Sequence, residues 1–368
     1  MPAIGAAFFN NFVQAMVAGV SYGDVVQSNT QYVAVSSKNN YISALEGYFN
    51  MDSPLFNDPR VRFGNWNGHW YGLREQIATP RHTITYNRLI FEQSGVESPY
   101  EAYKRGQWTW STMIEMGMQT TRDLNGDAII DQWGLDTWKN SGLPLATIYF
   151  LPSNGADAAE FDSNGRLQVT LTTPAAMEAI EFVRSLSSTY NVMPASNKAG
   201  EFYQRNLAAM YLGNPQSVTV QLKMDTYGTH GIVSYPVGPR MEGKKMPEGT
   251  VGEYFFAVPY NVPESDKKAI ARILVDLNAV WNKNIEPYLD TDEYYRDLYK
   301  AWDDGTENME MLIEMGKRQQ PLAAAYNSTL YNPITLNLFN DIFLNNLSTA
   351  SAVDKYKPMI VDAINAMY

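Results

Sequence analysis

The stretch Gly106-Gln107-Trp108-Thr109-Trp110-Ser111-Thr112-Met113-Ile114-Glu115-Met116-Gly117-Met118 runs on through Gln119-Thr120-Thr121-Arg122 into Asp123-Leu124-Asn125-Gly126-Asp127-Ala128-Ile129-Ile130-Asp131-Gln132-Trp133-Gly134. Thr109 is a helix cap, and Trp110, Met113, Ile114 and Met118 recur at helical spacing. The helix so predicted leads directly into an oxygen-rich loop. There Asp123, Asn125, Asp127 and Asp131 stand at positions 1, 3, 5 and 9, with the Ile129 carbonyl at position 7. This is calcium-ligand spacing, because a hard cation takes about six to eight oxygens and alternate side chains plus one carbonyl supply most of them. Position 6 is Ala128 where a helix-loop-helix calcium hand carries Gly, and position 12 is Gly134 where its bidentate Glu stands. The expectation is therefore a structural Ca2+ that stiffens a loop, not a switch. A solvated acidic turn is the plainer alternative, since Asn-Gly and clustered Asp mark turns on their own.

On the amino-terminal side, an apolar helix from Ala6 to Ala18 stops at Gly19 and precedes a short strand, Asp24 to Val26. Asn67-Gly68 signals a hairpin between Val61–Phe63 and Trp70–Leu73. Ile84-Thr85-Tyr86 reads as a strand entering a short helix, Leu89 to Gln93, that ends before Gly95. On the carboxyl side, Thr173 with Pro174 starts a helix whose Met177, Ile180, Val183 and Leu186 share a face. Strands follow at Leu207–Tyr211 and Ile232–Tyr235, then a Gly- and Pro-rich hairpin from Pro236 to Gly249 and a buried strand, Tyr254–Val258. Ser265 opens a long amphipathic helix striped by Ile270, Ile273, Leu274, Leu277 and Trp281, and the rest is helical. Alternating strands and helices define an α/β architecture. With no repeat and no low-complexity linker, two domains must be joined by strands that cross between them.

Length and composition agree. A chain of 368 residues with 45% hydrophobic and 18% charged content can bury a large core in two domains. Lys plus Arg number 28 against 39 Asp plus Glu, a net charge of -11, which argues against nucleic acid or an anionic membrane as the main partner. There is no Cys, so no disulfide frame, thiolate nucleophile or sulfur metal site. No apolar run approaches a membrane span, and Met1 to Gly23 has no basic n-region or cleavage pattern. The 24 Tyr and 8 Trp offer flat faces with polar handles, suited to carbohydrate stacking as well as to cores.

Catalytic patterns are few. Gly19-Val20-Ser21-Tyr22-Gly23 matches a nucleophile elbow in letters, but a helix precedes Ser21 and a strand follows it, the reverse of what an elbow requires. A helix-stop turn is the better reading. His69, His82 and His230 have no metal-ligand spacing, and there is no phosphate-binding Gly loop. Glu253 is the first acid to inspect for glycoside hydrolysis, whose paired carboxylates have a separation that sequence does not encode. The chain reads as a binding protein, not an enzyme.

The segments Asn67-Gly68-His69-Trp70-Tyr71-Gly72-Leu73, Thr85-Tyr86-Asn87, Gly106-Gln107-Trp108-Thr109-Trp110, the acidic loop running into Gln132-Trp133-Gly134, Leu207-Ala208-Ala209-Met210 and Pro236-Val237-Gly238-Pro239 occur in that order. Together they resemble the extracellular solute-binding proteins, family 1, of bacterial ABC sugar importers. The resemblance runs from about Phe12 onward and is most specific between Tyr86 and Gly134. It implies a two-lobed periplasmic-binding-protein-like fold (type II) with crossing strands as hinge and a helical C-terminal segment. The first lobe would be 1–82 plus 258–318 and the second 83–257 plus 319–368, with crossings near Thr83–Tyr86 and Tyr254–Val258. A sugar or oligosaccharide would be held in the cleft for delivery to an ABC permease, and calcium would sit at Asp123–Asp131. The implied setting is extracellular and monomeric, with a lipoprotein anchor in the full-length form. Relatives begin with a strand and helix start that precede the segment matching Ala6–Gly19, and before that with a lipoprotein signal and its Cys. Neither is present in this sequence, an absence expected to expose strand edges in the first lobe.

Ligands of open α/β sheets lie outside the carboxyl ends of the strands. Asn29 and Gln31, in the polar loop Gln27 to Tyr32, are candidates in the first lobe. Asn214 and Gln216 hold the corresponding place in the second. Tyr149, paired with Phe150, resembles an aromatic lid of relatives. Tyr254 lies on a crossing strand, Tyr326 near the last helical block and Trp70 in the hairpin. Trp108 and Trp110 read as core. Two other readings remain open: a glycoside hydrolase or lyase on a two-lobed scaffold, and a glycan-binding surface protein without a transport role.

Overall fold

Thr83-Ile84-Thr85-Tyr86-Asn87 is β-branched or aromatic over four positions, which favours a strand, and all five residues are buried. In the computed structural model, which describes residues 6–53, 56, 64–73, 83–139, 142–195, 199–213, 215, 217–244, 248–250, 254–290, 307–322 and 328–368, this strand is central to one of two main sheets. Strands are numbered β1–β13 and the first eight helices α1–α8 in chain order.

The first sheet has three strands in the order β1-β12-β4: Val26–Asn29, Tyr254–Ala257 and Gly72–Leu73. Both pairings are antiparallel, with Asn29 opposite Tyr254 and Phe256 opposite Leu73. Before it comes α1 (Ala6–Val17), and after β1 come a 3-10 turn (Thr30–Tyr32) and α2 (Val33–Lys38). A hairpin of β2 (Asn65–Trp66) and β3 (His69–Trp70) turns at Asn67 and Gly68, both with positive φ. Gly72 is required by close approach, because a Cβ there would stand 1.9 Å from the Phe256 carbonyl oxygen. A separate core of Leu45, Phe49, Phe56, Trp70, Leu73, Val258 and Val262 is covered by Ile270, Ala271 and Leu274 of α8 (Glu264–Asp290).

The second sheet has the order β10-β5-β9-β6: His230–Val233, Thr83–Asn87, Ala208–Gly213 and Trp133–Thr137. The β5 strand pairs antiparallel with both neighbours, and β6 runs parallel to β9. Asn87 ends β5 and caps α3 (Arg88–Ser94), its Oδ1 accepting from the Leu89 and Ile90 amides; Gly95, at φ 65°, stops the helix. After α4 (Pro99–Lys104), Thr109 caps α5 (Trp110–Thr120). Helix α5 lies against β6 at Gly117 and Gly134, where a Cβ on Gly134 would fall 2.3 Å from the Gly117 carbonyl oxygen. That contact explains why Gly, not Glu, follows the acidic loop.

Helices α6 (Gly142–Ser153) and α7 (Pro174–Ser188) pack together, with a small hairpin of β7 (Ala159–Phe161) and β8 (Leu167–Val169) between them in sequence. The rings of Trp110, Phe150, Phe182 and Tyr235 form an aromatic cluster, Trp110 stacked on Phe182 at 4.0 Å. The last helix, Thr349–Asn365, packs on α7 and β8. Short β11 (Glu248–Thr250) pairs in parallel with β13 (Gln319–Pro321).

The edge strand β10 is covered, not left open. From the helix Glu307–Lys317, buried Asn308 accepts the Ile232 amide at 2.8 Å and donates to the His230 carbonyl at 3.1 Å, taking the place of a further strand.

Three local expectations change. The strand predicted at Asp24–Val26 is displaced to Val26–Asn29, because Ser28 and Asn29 are polar but buried within the ladder. Met118 lies on the solvent side of α5 at 53% exposure, and Ile273 and Leu277 are likewise exposed on α8. The halves Val61–Phe63 of the expected hairpin, His82 and Glu253 lie outside the described residues.

His230 is 2% exposed, with Nδ1 2.8 Å from the Thr229 hydroxyl and its ring edge-on to Tyr203. Burial, with the positive charge of Arg88, pushes its pKa down to about 4 against the attraction of Asp225. The unfolded chain then takes up a proton that the folded chain refuses, so stability is full above about pH 6.5 and falls as pH drops towards 4. The loss is at most about 3 kcal/mol. Urea denaturation between pH 7 and 4.5 should show this decline, and His230→Gln should flatten it.

Candidate functional site

The chain of each main sheet carries polar and aromatic groups at strand carboxyl ends, where open α/β sheets present ligand-binding loops. In the first, β1 ends at Asn29. Its Oδ1 accepts the Gln31 amide at 2.8 Å and so caps the 3-10 turn that follows. Asn29 is 8% exposed, Gln31 is half-buried, and Tyr32 gives one face of its ring to Phe9, stacked at 4.0 Å. Tyr254, also half-buried, stands directly across the ladder from Asn29. Asn29, Gln31 and Tyr254 are thus gathered at one end of the sheet.

Two of the residues expected to meet a ligand are buried in this structure. Trp70 packs in the first-sheet core against Phe56, ring centroids 5.0 Å apart, and is 6% exposed. Tyr149 is 3% exposed, with its ring 5.7 Å from Tyr235 inside a helix apolar on every side. Each ring is already surrounded by apolar neighbours and presents no free face. Asn214, Gln216 and Tyr326 lie outside the described residues. Trp108 and Trp110 are core as expected, their indole N–H groups donating to the Ser234 carbonyl and the Ser153 hydroxyl.

The second sheet contributes Trp138, which sequence reading missed. It follows the carboxyl end of β6, half-buried and edge-on to Tyr211 at 5.7 Å. Gly213, at the carboxyl end of the adjacent parallel strand, makes room for both rings: a Cβ there would lie 2.5 Å from the Tyr211 ring and 3.0 Å from the indole. The support is unusually firm. Buried Asp136, two residues earlier, accepts the amides of Thr137, Gly200, Phe202 and Tyr203 at 2.7 to 3.1 Å. Burial pushes its carboxyl pKa up, and the amide bonds pull it back only in part. Asp136 thereby ties the segment around Gly200–Tyr203 to the sheet end beside Trp138. Lys139 bridges to Glu201 at 2.6 Å, and this hydrogen bond holds the Glu201 carboxyl below its usual range. Both side chains are more than half exposed, so the pair adds little stability.

In the acidic loop, Asp123 Oδ1 accepts the Asn125 and Gly126 amides and Oδ2 the Ala128 amide. Asn125, Asp127 and Asp131 accept the amides of Asp127, Ile129 and Leu124. The Gly126 amide bond, chiefly, holds the Asp123 carboxyl below its usual range. Ala128, where calcium hands carry Gly, has φ 66°, so the loop keeps the left-handed turn at that position despite a Cβ. Each side chain keeps lone pairs beyond those the amides use, and an all-oxygen set suits a hard cation. Among the described residues, no group of three or more His, Cys, Asp or Glu forms a ready metal cage.

Ser21 is exposed in the irregular segment between α1 and β1, and the helix-turn-strand order around it is the reverse of a nucleophile elbow. Among the described residues no helix is long and apolar enough to cross a membrane.

No protein-family model matches the sequence, and no curated protein matches it significantly. Solved structures do match. The sugar-binding protein MalE from Xanthomonas citri superposes with a TM-score of 0.70 at 12% identity, over 98% of this chain and 88% of that one. The cyclic alpha-maltosyl-1,6-maltose binding protein from Arthrobacter globiformis gives 0.70 at 16% identity, over 98% and 88%. UgpB from Mycobacterium tuberculosis, solved in complex with glycerophosphocholine, gives 0.65 at 17% identity, over 98% and 87%. These neighbours are binding proteins, and this chain has their two-lobed, periplasmic-binding-protein-like α/β fold.

Removing the carboxylate of Asp136 leaves four buried or part-buried amides without that acceptor. Asp136→Ala should cost about 3 kcal/mol or more by urea denaturation, whereas Glu201→Ala should change stability by less than about 1 kcal/mol.

Proposed function

We propose that the chain is an extracellular solute-binding protein, family 1, that captures a sugar or oligosaccharide between its lobes for delivery to an ABC transporter permease. The observation that carries the reading is the arrangement of Asn29 at the carboxyl end of β1 with Tyr254 across from it at the start of β12, and of Trp138 just past the carboxyl end of β6, on a fold shared with sugar-binding proteins. Aromatic faces stack on the apolar faces of sugar rings, and amide side chains pair with hydroxyls. A ligand that touches both lobes favours the closed arrangement, because only differential affinity shifts such an equilibrium. The division proposed is 1–82 with 258–318 for the first lobe and 83–257 with 319–368 for the second. The protein would work as a monomer, anchored in its full-length form as a lipoprotein.

Calorimetric titration with linear and cyclic maltodextrins, single monosaccharides and glycerophosphocholine tests the ligand class. Binding of one sugar class is expected, without product formation, and Trp138→Ala should weaken it about tenfold or more. Turnover of a sugar, or binding of glycerophosphocholine alone, would overturn the sugar-receptor reading.

Calcium held by Asp123, Asn125, Asp127, Asp131 and the Ile129 carbonyl belongs to the same proposal, as a loop stiffener remote from the ligand. A chelator should lower the melting temperature by a few degrees, through loss of a ligand of the folded state, and Asp127→Ala should abolish that shift. If neither treatment moves the melting temperature, the loop is a turn held by its own amides.

A further inference from the structure

Tyr86, on β5, is wholly buried, and its hydroxyl makes no hydrogen bond. A buried donor without an acceptor is costly, so it calls for a reason. The sequence makes room for this ring, because Gly231 pairs with Tyr86 across the ladder and a Cβ there would lie 1.9 Å from the phenol carbon Cζ. Tyr86 lines a cavity of about 470 Å³ bounded by β5, α3, α4 and the helix Glu307–Lys317. Its hydroxyl end is the part turned that way: Arg88, Ser98 and Glu307, which also line the cavity, are the groups that act on the phenol.

The inner end of the cavity is a set of donors. Burial, chiefly, pushes the phenol pKa up, so Tyr86 keeps its proton and can give it to an acceptor. Beside it stand the Arg88 guanidinium, held by Glu307 at 3.2 Å, and the Ser98 hydroxyl. Ser98 Oγ accepts the Glu101 amide at 3.3 Å as the cap of α4, which leaves its own proton to donate. The outer end is the reverse. The exposed lining residues are Glu92 and Glu101, both carboxylates, and Phe91 and Val96 add an apolar wall. Among the described residues no three acids gather as a metal cage, so the acidic mouth fits an organic ammonium better than a metal ion.

We propose that this cavity is a second ligand site, for a free α-amino acid whose carboxylate accepts from Tyr86, Ser98 and Arg88 and whose ammonium lies at Glu92 and Glu101. A carboxylate supplies two acceptor oxygens, enough for several donors at once, and its bonds to a guanidinium and to hydroxyls are charge-assisted. A sugar fits less well. The one aromatic ring of the wall, Phe91, is 2% exposed and offers no face for stacking. The site shares no residue with Asn29, Tyr254 and Trp138, and it stands independently of the sugar-receptor reading.

Titration calorimetry of the full chain with the common L-amino acids, one at a time and without sugar, is the test. At least one should bind, and its N-acetyl and carboxamide derivatives should bind about tenfold more weakly or worse, since each removes one of the two charges. Tyr86→Phe, which keeps the ring, should weaken the amino acid about fivefold or more, and so should Glu92→Gln combined with Glu101→Gln. Trp138→Ala should leave its affinity as in the wild type. No binding of any L-amino acid, or derivatives that bind as well as the parent, would overturn the proposal. So would binding that is lost in Trp138→Ala and kept in the glutamine variant, which would put the amino acid between the lobes. Glu92 and Glu101 are exposed, so the glutamine variant decides the matter if Tyr86→Phe fails to fold.

Discussion

The pairing of β12 between β1 and β4 is the constraint on which the rest depends. Strands β1 and β4 touch only through a strand that arrives some 180 residues later, after the chain has built the second sheet and the helices around it. The first sheet is therefore incomplete until the chain has left its lobe and returned. Each crossing must span the space between lobes, and a cleft follows from that route. Long-range pairing of this kind is costly in chain entropy, which the buried ladder and the cover of α8 must offset.

The same route places the chemistry. Because β12 begins where β1 ends, Tyr254 is set across from Asn29 without any local sequence relation between them. In the second lobe the parallel pair β6 and β9 carries Trp138 and Gly213 at its carboxyl end, and three amide bonds to Asp136 fix the neighbouring segment. Rigid elements thus hold the groups proposed to meet the ligand, and on that proposal the walls are preformed while closure responds to what lies between them.

Much of this was legible along the chain. The helices at Thr109 and Thr173 announce themselves by cap and periodicity, and the buried strand Ile84–Tyr86 by β-branched and aromatic residues. The order of motifs from Asn67 to Pro239 pointed to the two-lobed fold. Strand β6 was not legible, because Asp136 interrupts an apolar run and three of the four amides that satisfy its carboxylate lie more than sixty residues away. With β6 unread, Trp138 had no strand end to belong to. The burial of Trp70 and Tyr149 was not legible for a related reason: an aromatic ring suits a core and a sugar equally, and only tertiary packing decides between them.

The central claim is that one solute is held by the ends of both sheets at once. Hydrogen–deuterium exchange, with and without a bound sugar, tests it directly. The account predicts slower exchange at residues 29–32 and 137–139 and at the start of β12 together, with the acidic loop at 123–131 unaffected. Protection confined to one sheet, or appearing only at the acidic loop, would contradict it.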